Sequence, residues 1–248
     1  MKAMILAAGV GSRLRPLTDD QPKALMDVGG RPMIEHVIRR LEEAGVTELI
    51  VNLFHLGDRI VDFLASRGNF GLRIAFSREV ELLDTGGGLR NAAWFFDDGR
   101  PFFLHNVDVL SDIDLAALLQ IHREMGALAT LAVQSRPSSR QLLFDREGRL
   151  CGRKTPEGTE WAGDPVPEAA PLAFTGIHVI DPAIFPKMSE TGIFPITRTY
   201  LRLAGVGERI AAYRSEGCYW QDVGSPQKLE EARRRAEACD WGARLREQ

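Results

Sequence analysis

Cysteine is scarce. Cys151, Cys218 and Cys239 are the only three among 248 residues. Thiols so widely spaced, and odd in number, supply neither a disulfide framework nor a zinc-binding set, and they fit a reducing compartment. No apolar run reaches the roughly 18 residues needed to span a bilayer. The N-terminus enters an apolar segment at once, without the layout of a signal peptide. A cytoplasmic chain with no membrane partner is therefore expected. Net charge is only -3, so composition offers nothing to a nucleic-acid partner. Ser-His-Asp and Cys-His sets are missing as well, which leaves covalent catalysis without support. Internal repeats, low-complexity tracts and a clear interdomain linker are also lacking.

What is present is an ordinary globular composition, 44% hydrophobic and 26% charged, over a length that suits a single domain. The first half alternates apolar runs with amphipathic stretches. Strands are expected at 2–7, 48–53, 71–77, 101–105 and 127–134. Helices are expected at 32–44, 57–67, 87–96 and 113–125. Such alternation argues for an α/β fold with a doubly wound, mostly parallel sheet flanked by helices. Residues 1–135 and 136–248 form its two functional halves. The second half predicts a hairpin at 141–145 and 149–152, a loop over 155–171 and a strand at 172–180. Asp181-Pro182 and Ser225-Pro226 each read as an N-cap followed by a proline at the first helical position.

Residues 5–18 carry the most chemistry: Ile-Leu-Ala-Ala-Gly-Val-Gly-Ser-Arg-Leu-Arg-Pro-Leu-Thr, with Pro22-Lys23 soon after. Glycines let backbone N–H groups approach an anion, and Arg13, Arg15 and Lys23 add positive charge. This is a polyphosphate loop. A Walker A loop would need Gly-x-x-x-x-Gly-Lys-Ser/Thr, which does not occur. The dinucleotide fingerprint would need Gly or Ala where Leu14 stands. It would also need an acid at the end of the second strand, where the chain has Asn52 and Leu53.

Two acids complete the pattern. Asp108 ends the apolar run Phe-Phe-Leu-His-Asn-Val-Asp, and Asp222 lies in Trp-Gln-Asp-Val-Gly-Ser-Pro. Magnesium takes one or two carboxylates together with phosphate oxygens and water. The whole string Leu-x-x-Gly-x-Gly-x-Arg-Leu-x-Pro-Leu-Thr with Pro-Lys, and both aspartate segments, resemble the sugar-1-phosphate nucleotidyltransferases. The Asp84-Thr-Gly-Gly-Gly88 form is most similar to those that act on N-acetylmuramate 1-phosphate and to heptose-1-phosphate transferases.

The resemblance implies a nucleoside triphosphate (UTP favoured) and a sugar 1-phosphate as partners, Mg2+ as cofactor, and release of pyrophosphate. It leaves a homo-oligomer open. It assigns the nucleotide to Leu6, Ala8, Gly9, Gly11, Ser12, Arg13, Lys23, Asp84, Thr85, Gly86, Gly87 and Asn106. In this assignment, residues 9–13 cradle the β- and γ-phosphates, Lys23 neutralises the α-phosphate, and the glycines of 86–88 present backbone to a base. Catalysis falls to Arg13, Lys23 and Asp108, and the metal to Asp108 and Asp222. The sugar phosphate falls to Arg140, Lys154 and Gly176. Val107 departs from the pattern, which has glycine there.

Some residues keep two readings. The basic loop Ser135-Arg-Pro-Ser-Ser-Arg140 is either solvated or places Arg136 or Arg140 on an acidic or phosphorylated part of the sugar. His105 either packs the core or supports the metal strand from behind. His36 and His122 read as structural, and Trp220 as a packing residue rather than a stacking platform. Three other functions stay open: a guanylyltransferase of mannose or heptose 1-phosphate, a noncatalytic nucleotide-sugar sensor on the same fold, and transfer to another phosphorylated alcohol such as phosphocholine.

Overall fold

A computed structural model describes residues 1–238, so Cys239 lies outside the described residues. In chain order the strands are β1 (Lys2–Leu6), β2 (Asp27–Val28), β3 (Arg31–Pro32), β4 (Glu48–Leu53), β5 (Arg73–Arg78), β6 (Phe102–Asn106), β7 (Val109–Ser111), β8 (Ala129–Gln134), β9 (Gln141–Phe144), β10 (Leu150–Thr155), β11 (Gly158–Trp161), β12 (Ala170–Ile180), β13 (Ile210–Arg214) and β14 (Trp220–Asp222). The α-helices are α1 (Met33–Glu43), α2 (Gly57–Ser66), α3 (Asp84–Asn91), α4 (Leu115–Met125), α5 (Ile196–Gly205) and α6 (Pro226–Ala238).

The large sheet runs β11-β10-β9-β12-β6-β1-β4-β5, with β8 beside β12 and β13 beside β8. Its N-terminal part is parallel: β6, β1, β4 and β5 all point the same way. β12 then pairs antiparallel with β6, β8 and β9. Alternation along each strand builds a core on either face, because successive side chains point to opposite sides. Ala3, Ile5, Leu49, Val51 and Phe103 meet the side that holds α1, α2 and α4. Met4, Ile50, Phe102 and Leu104 meet Leu89 of α3 and Tyr200 of α5 on the other. The result is the expected helix–sheet–helix sandwich in one domain.

Strand order reverses at β1. The chain moves outward through β4 and β5, then returns to the opposite side of β1 as β6. Such a switch point leaves a crevice beyond the carboxyl ends of the strands. A third core cluster joins Leu14, Val28, Leu110, Val223, Leu229 and Ala232. It fastens α6 and the short β7–β14 ladder to the glycine loop.

Several elements depart from expectation. Helix α3 begins at Asp84, three residues before the expected Gly87, and a short 3-10 turn over 93–95 follows it. The segment after Asp181 is capped as expected, Ala183 N donating to Asp181 Oδ1 at 2.8 Å, but it forms a 3-10 helix because Pro186 interrupts it. The loop expected over 155–171 contains β11, which completes a hairpin with β10. Helix α5 and strand β13 were not expected. The first backbone amide of α5 is capped by Thr85, whose Oγ1 accepts from Ile196 N at 2.9 Å, and no local sequence rule reports such a cap.

Candidate active site

A cleft of about 420 Å³ opens at the switch point, lined by Leu6, Ala8, Gly9, Gly11, Ser12, Arg13, Lys23, Asn52, Glu79, Leu82, Asp84, Thr85, Asn106, Val107, Asp108, Ile193 and Gly224. All expected nucleotide residues except Gly86 and Gly87 line it. A Cβ added at Gly9 would meet nothing within 4 Å, so this residue faces open cleft. Gly11 adopts φ +64°, and a Cβ there would lie 2.8 Å from Thr18 Cγ2. Its carbonyl accepts from Leu14 N and from Thr18 Oγ1, each at 2.8 Å. The loop is therefore held in a turn that only glycine takes without strain.

Lys23 is buried, and its ammonium group donates to the Asp108 carboxylate. Asp108 follows β6, and its carbonyl accepts from Val223 N at 2.7 Å. Asp222 lies on β14, opposite Val109 of β7. Asp108 immediately precedes β7 and Asp222 ends its antiparallel partner β14, so the two aspartates are far apart in sequence but joined by backbone. The Asp222 carboxylate accepts from Lys228 of α6. A Cβ at Gly224 would lie 2.8 Å from both the Arg13 guanidinium and an Asp222 carboxylate oxygen. Arg13 and Asp222 therefore flank the same glycine at the cleft wall.

Val107 takes the place of the usual glycine without backbone strain, since it is not among the residues with positive φ. Its side chain is buried in the core, and its N–H donates to Leu6 O at 3.1 Å. It stitches the ends of β1 and β6 together.

The glycines after Asp84 pack against protein. Gly86 N and Gly87 N both donate to Phe194 O, at 2.9 and 3.3 Å. A Cβ on Gly86 would stand 2.4 Å from the Phe194 ring, and one on Gly87 would stand 2.5 Å from Gly192 O. Their amides are committed to protein, and glycine serves close packing of α3 against the 192–194 segment. Asp84 and Thr85 make the cleft wall at this point.

Asn52 and Glu79 are cleft residues that the sequence reading missed. Asn52 Oδ1 accepts from Ala7 N at 2.6 Å, and its Nδ2 donates to Glu79 Oε1 at 2.7 Å. Glu79 Oε2 accepts from Leu83 N at 3.0 Å. Burial raises the Glu79 carboxyl above the usual range, with these hydrogen bonds opposing. Both residues close strands that end at the switch point, which is the signal that could have found them.

A second cleft, of about 790 Å³, is lined by Ser138, Arg140, Gln141, Arg153, Lys154, Thr155, Glu157, Glu160, Phe174 and Thr197 among others. It brings Arg140 and Lys154 together. Gly176 lies between the two clefts, on β12, at φ +82°, and a Cβ there would be 2.6 Å from the Asn106 amide. The register of β12 against β8 shifts between Phe174 and His178, around this glycine.

Trp220 packs against the core, and a side chain also stacks on it. The Arg136 guanidinium lies 3.6 Å from its ring centroid. His36, His122 and His105 are buried. Burial holds His105 near pKa about 4, and its Nδ1 pairs with Asn106 O at 2.8 Å. Cys151 and Cys218 are free, and burial pushes the Cys151 thiol up to about 11, far from reactivity. No helix among the described residues is long and apolar enough to cross a membrane.

Residues 2–142 match the Nucleotidyl transferase family. The chain is 35% identical over 246 residues to an N-acetylmuramate alpha-1-phosphate uridylyltransferase of Caulobacter vibrioides, across 95% of this chain and 97% of that protein. It is 31% identical over 231 residues to a mannose-1-phosphate guanyltransferase of Yarrowia lipolytica, across 92% of this chain and 61% of that longer protein. A UDP-glucose pyrophosphorylase from Acinetobacter baumanii shares the fold with a TM-score of 0.79 at 20% identity, covering 99% of this chain and 97% of that one.

Proposed function

The chain belongs to the nucleotidyl transferase family, and from that premise we propose that it converts N-acetylmuramate 1-phosphate and UTP into the nucleotide-sugar and pyrophosphate. The broader activity, that of a sugar-1-phosphate nucleotidyltransferase, holds whichever sugar and base are used. One observation carries the reading. Arg13, Lys23, Asp108 and Asp222 converge beside a glycine loop at a strand switch point, where a triphosphate can lie across the crevice. Uridylyl transfer to N-acetylmuramate 1-phosphate is favoured because the likeness to such an enzyme runs through nearly the full length of both chains. A guanylyltransferase of mannose or heptose 1-phosphate is the second reading, supported by the 31% identity to a mannose-1-phosphate enzyme.

A sugar phosphate is already an anionic nucleophile near neutral pH, so no general base is needed. Its phosphate oxygen attacks the α-phosphorus in line, and the bond to the bridging oxygen of pyrophosphate breaks. The obstacle is bringing two anions together while charge builds on the leaving group, so positioning and electrostatics do the catalysis. The glycine-loop amides and Arg13 hold the β- and γ-phosphates, and Lys23 meets the α-phosphate. Asp108 and Asp222 fit Mg2+: they are hard oxygen donors, two in number. No cluster of three or more His, Cys, Asp or Glu among the described residues would hold an ion alone, so substrate oxygens would complete the shell. A bound Mg2+ supplies electrophilic stabilisation of phosphate oxygens.

A pyrophosphate-release matrix of four nucleoside triphosphates against a set of sugar 1-phosphates tests this. The expected maximum is UTP with N-acetylmuramate 1-phosphate. A maximum at GTP with mannose or heptose 1-phosphate establishes the second reading instead.

A further inference from the structure

Arg136 follows β8, in a loop whose plain reading is solvation, yet its side chain is half-buried and its Nε is fully enclosed with no hydrogen-bond partner. The guanidinium lies flat on Trp220, 3.6 Å from the ring centroid, and its Nη2 donates to Phe174 O at 3.0 Å. Trp220 Nε1 donates to the next carbonyl, Thr175 O, at 2.7 Å. Arginine and tryptophan thus clip two consecutive carbonyls of β12, just before Gly176. Trp220 and Asp222 are two residues apart on β14, so their side chains leave the same face of the strand. Burial lowers the affinity of the Arg136 guanidinium for its proton, and the negative charge of Asp222 opposes that.

The chain leading into this arginine is fixed. Ser135 N and Oγ donate to the Glu216 carboxylate at 3.2 and 3.0 Å, and Arg214 braces the same carboxylate at 2.9 Å. Gln134 Nε2 donates to Ser215 O and Cys218 O, each at 3.0 Å. A guanidinium stacked in this way and short of acceptors can offer its remaining Nη donors as a fork to the oxygens of a phosphate. A guanidinium has five donors, and protein supplies Phe174 O to one of them. Its location decides which anion. Phe174 lines the second cleft, and Asp222 flanks the first. Arg136 bonds Phe174 of the second cleft and feels the charge of Asp222 beside the first.

We infer that Arg136 holds the 1-phosphate of the incoming sugar, lining up its attacking oxygen beside Asp222, while Lys154 and Arg140 meet the sugar further out in the second cleft. This rests on the proposed nucleotidyl transfer and names the residue that orients its nucleophile. The stack on Trp220 sets the plane of the guanidinium, so Trp220 is the positioning residue behind it.

The test compares wild type with Arg136→Met and Arg136→Lys. With N-acetylmuramate 1-phosphate and mannose 1-phosphate as probes, Arg136→Met should raise the sugar-phosphate KM at least about tenfold, the loss expected for a charge-assisted contact. The KM for the nucleoside triphosphate should stay within about twofold. Arg136→Lys, which keeps the charge but loses the fork and stack, should fall between. Unchanged sugar-phosphate KM, or equal rises for both substrates with a lowered Tm, overturns the role and leaves a structural clip. A titration with inorganic phosphate keeps the two readings separable. Arg136→Met should bind one phosphate fewer than wild type whether or not any sugar phosphate is turned over. Identical isotherms overturn the inference. Absence of turnover by wild type, with a phosphate site lost in the variant, overturns the proposed reaction and retains Arg136 as an anion site.

Discussion

The two clefts are built in opposite ways. The first is assembled from residues 6 to 224, gathered at the ends of the parallel strands, with α6 packed behind its glycine loop. Its walls are main-chain turns, buried lysine and close glycine packing. The second takes most of its lining from residues 138–160, largely one antiparallel hairpin, plus Phe174, Pro195 and Thr197. Its charges stand on exposed side chains, and part of them is spent internally, as in the Arg153–Glu160 pair at 2.6 Å. The contrast separates two tasks. Under the proposed function, holding the triphosphate would depend on backbone geometry that tolerates little change, and choosing the sugar on a hairpin whose side chains can vary without disturbing the sheet.

The largest expected effects break the first cleft. Asp108→Asn and Lys23→Ala should each lower turnover by on the order of 10²–10³, as for the loss of one preorganised charge in a site of this kind. Asp108→Asn also leaves the buried Lys23 without its counter-charge. Pyrophosphate release measures the effect, and near-normal turnover in either variant removes the assignment.

Gly86→Ala probes the packing side of the same cleft. Its new Cβ would sit 2.4 Å from the Phe194 ring and 2.9 Å from Phe194 O, so a destabilisation of about 1–3 kcal/mol is expected. Thermal melting reports it. An unshifted Tm would show that α3 is not locked to the 192–194 segment. The same substitution at Gly9 should spare stability, because nothing stands within 4 Å.

Acid should weaken the sheet between the clefts. His178 of β12 and His105 of β6 are buried and held to pKa values of about 3 and about 4. Each binds a proton more readily unfolded, near its ordinary 6.5. Their stabilisation of the neutral fold is complete above pH 6.5 and declines as pH falls from there toward about 4 and about 3. Tm should fall by several degrees over that window, one pKa unit being about 1.4 kcal/mol. His178→Gln, which retains a polar partner for the Tyr200 hydroxyl at the position of the present 2.6 Å bond, should flatten the decline. An equal slope in the variant would assign the loss to other groups.

The smallest effect sharpens the second cleft. Arg140→Ala removes an exposed charge, so the sugar-phosphate KM should rise about three- to tenfold with the triphosphate KM unchanged. Unchanged kinetics on the true sugar phosphate would remove Arg140 from the site.

Sequence and structure divide along the same line. The glycine loop, Asp108 and Asp222 are legible because each obeys a local rule: glycine for a left-handed turn, an acid at a strand end, a proline opening a helix. The parallel strands are legible from continuous apolar runs. The close packing of the glycines at 86 and 87 is not legible, because glycine has two uses, access for a ligand and close approach of protein, and only a distant partner reveals the second. Here the partner is Phe194, more than a hundred residues away. Helix α5 has apolar residues at helical spacing, but its cap comes from Thr85.

By itself, the sequence determined the phosphate chemistry and the sandwich that carries it, since both arise from backbone preferences and from burial with a fixed period. Tertiary structure alone decided that Asn52 and Glu79 line the first cleft, that Val107 stitches β1 to β6, and that Arg136 stacks on Trp220. Those outcomes depend on which surfaces meet across long loops, and residue spacing along the chain holds no record of that.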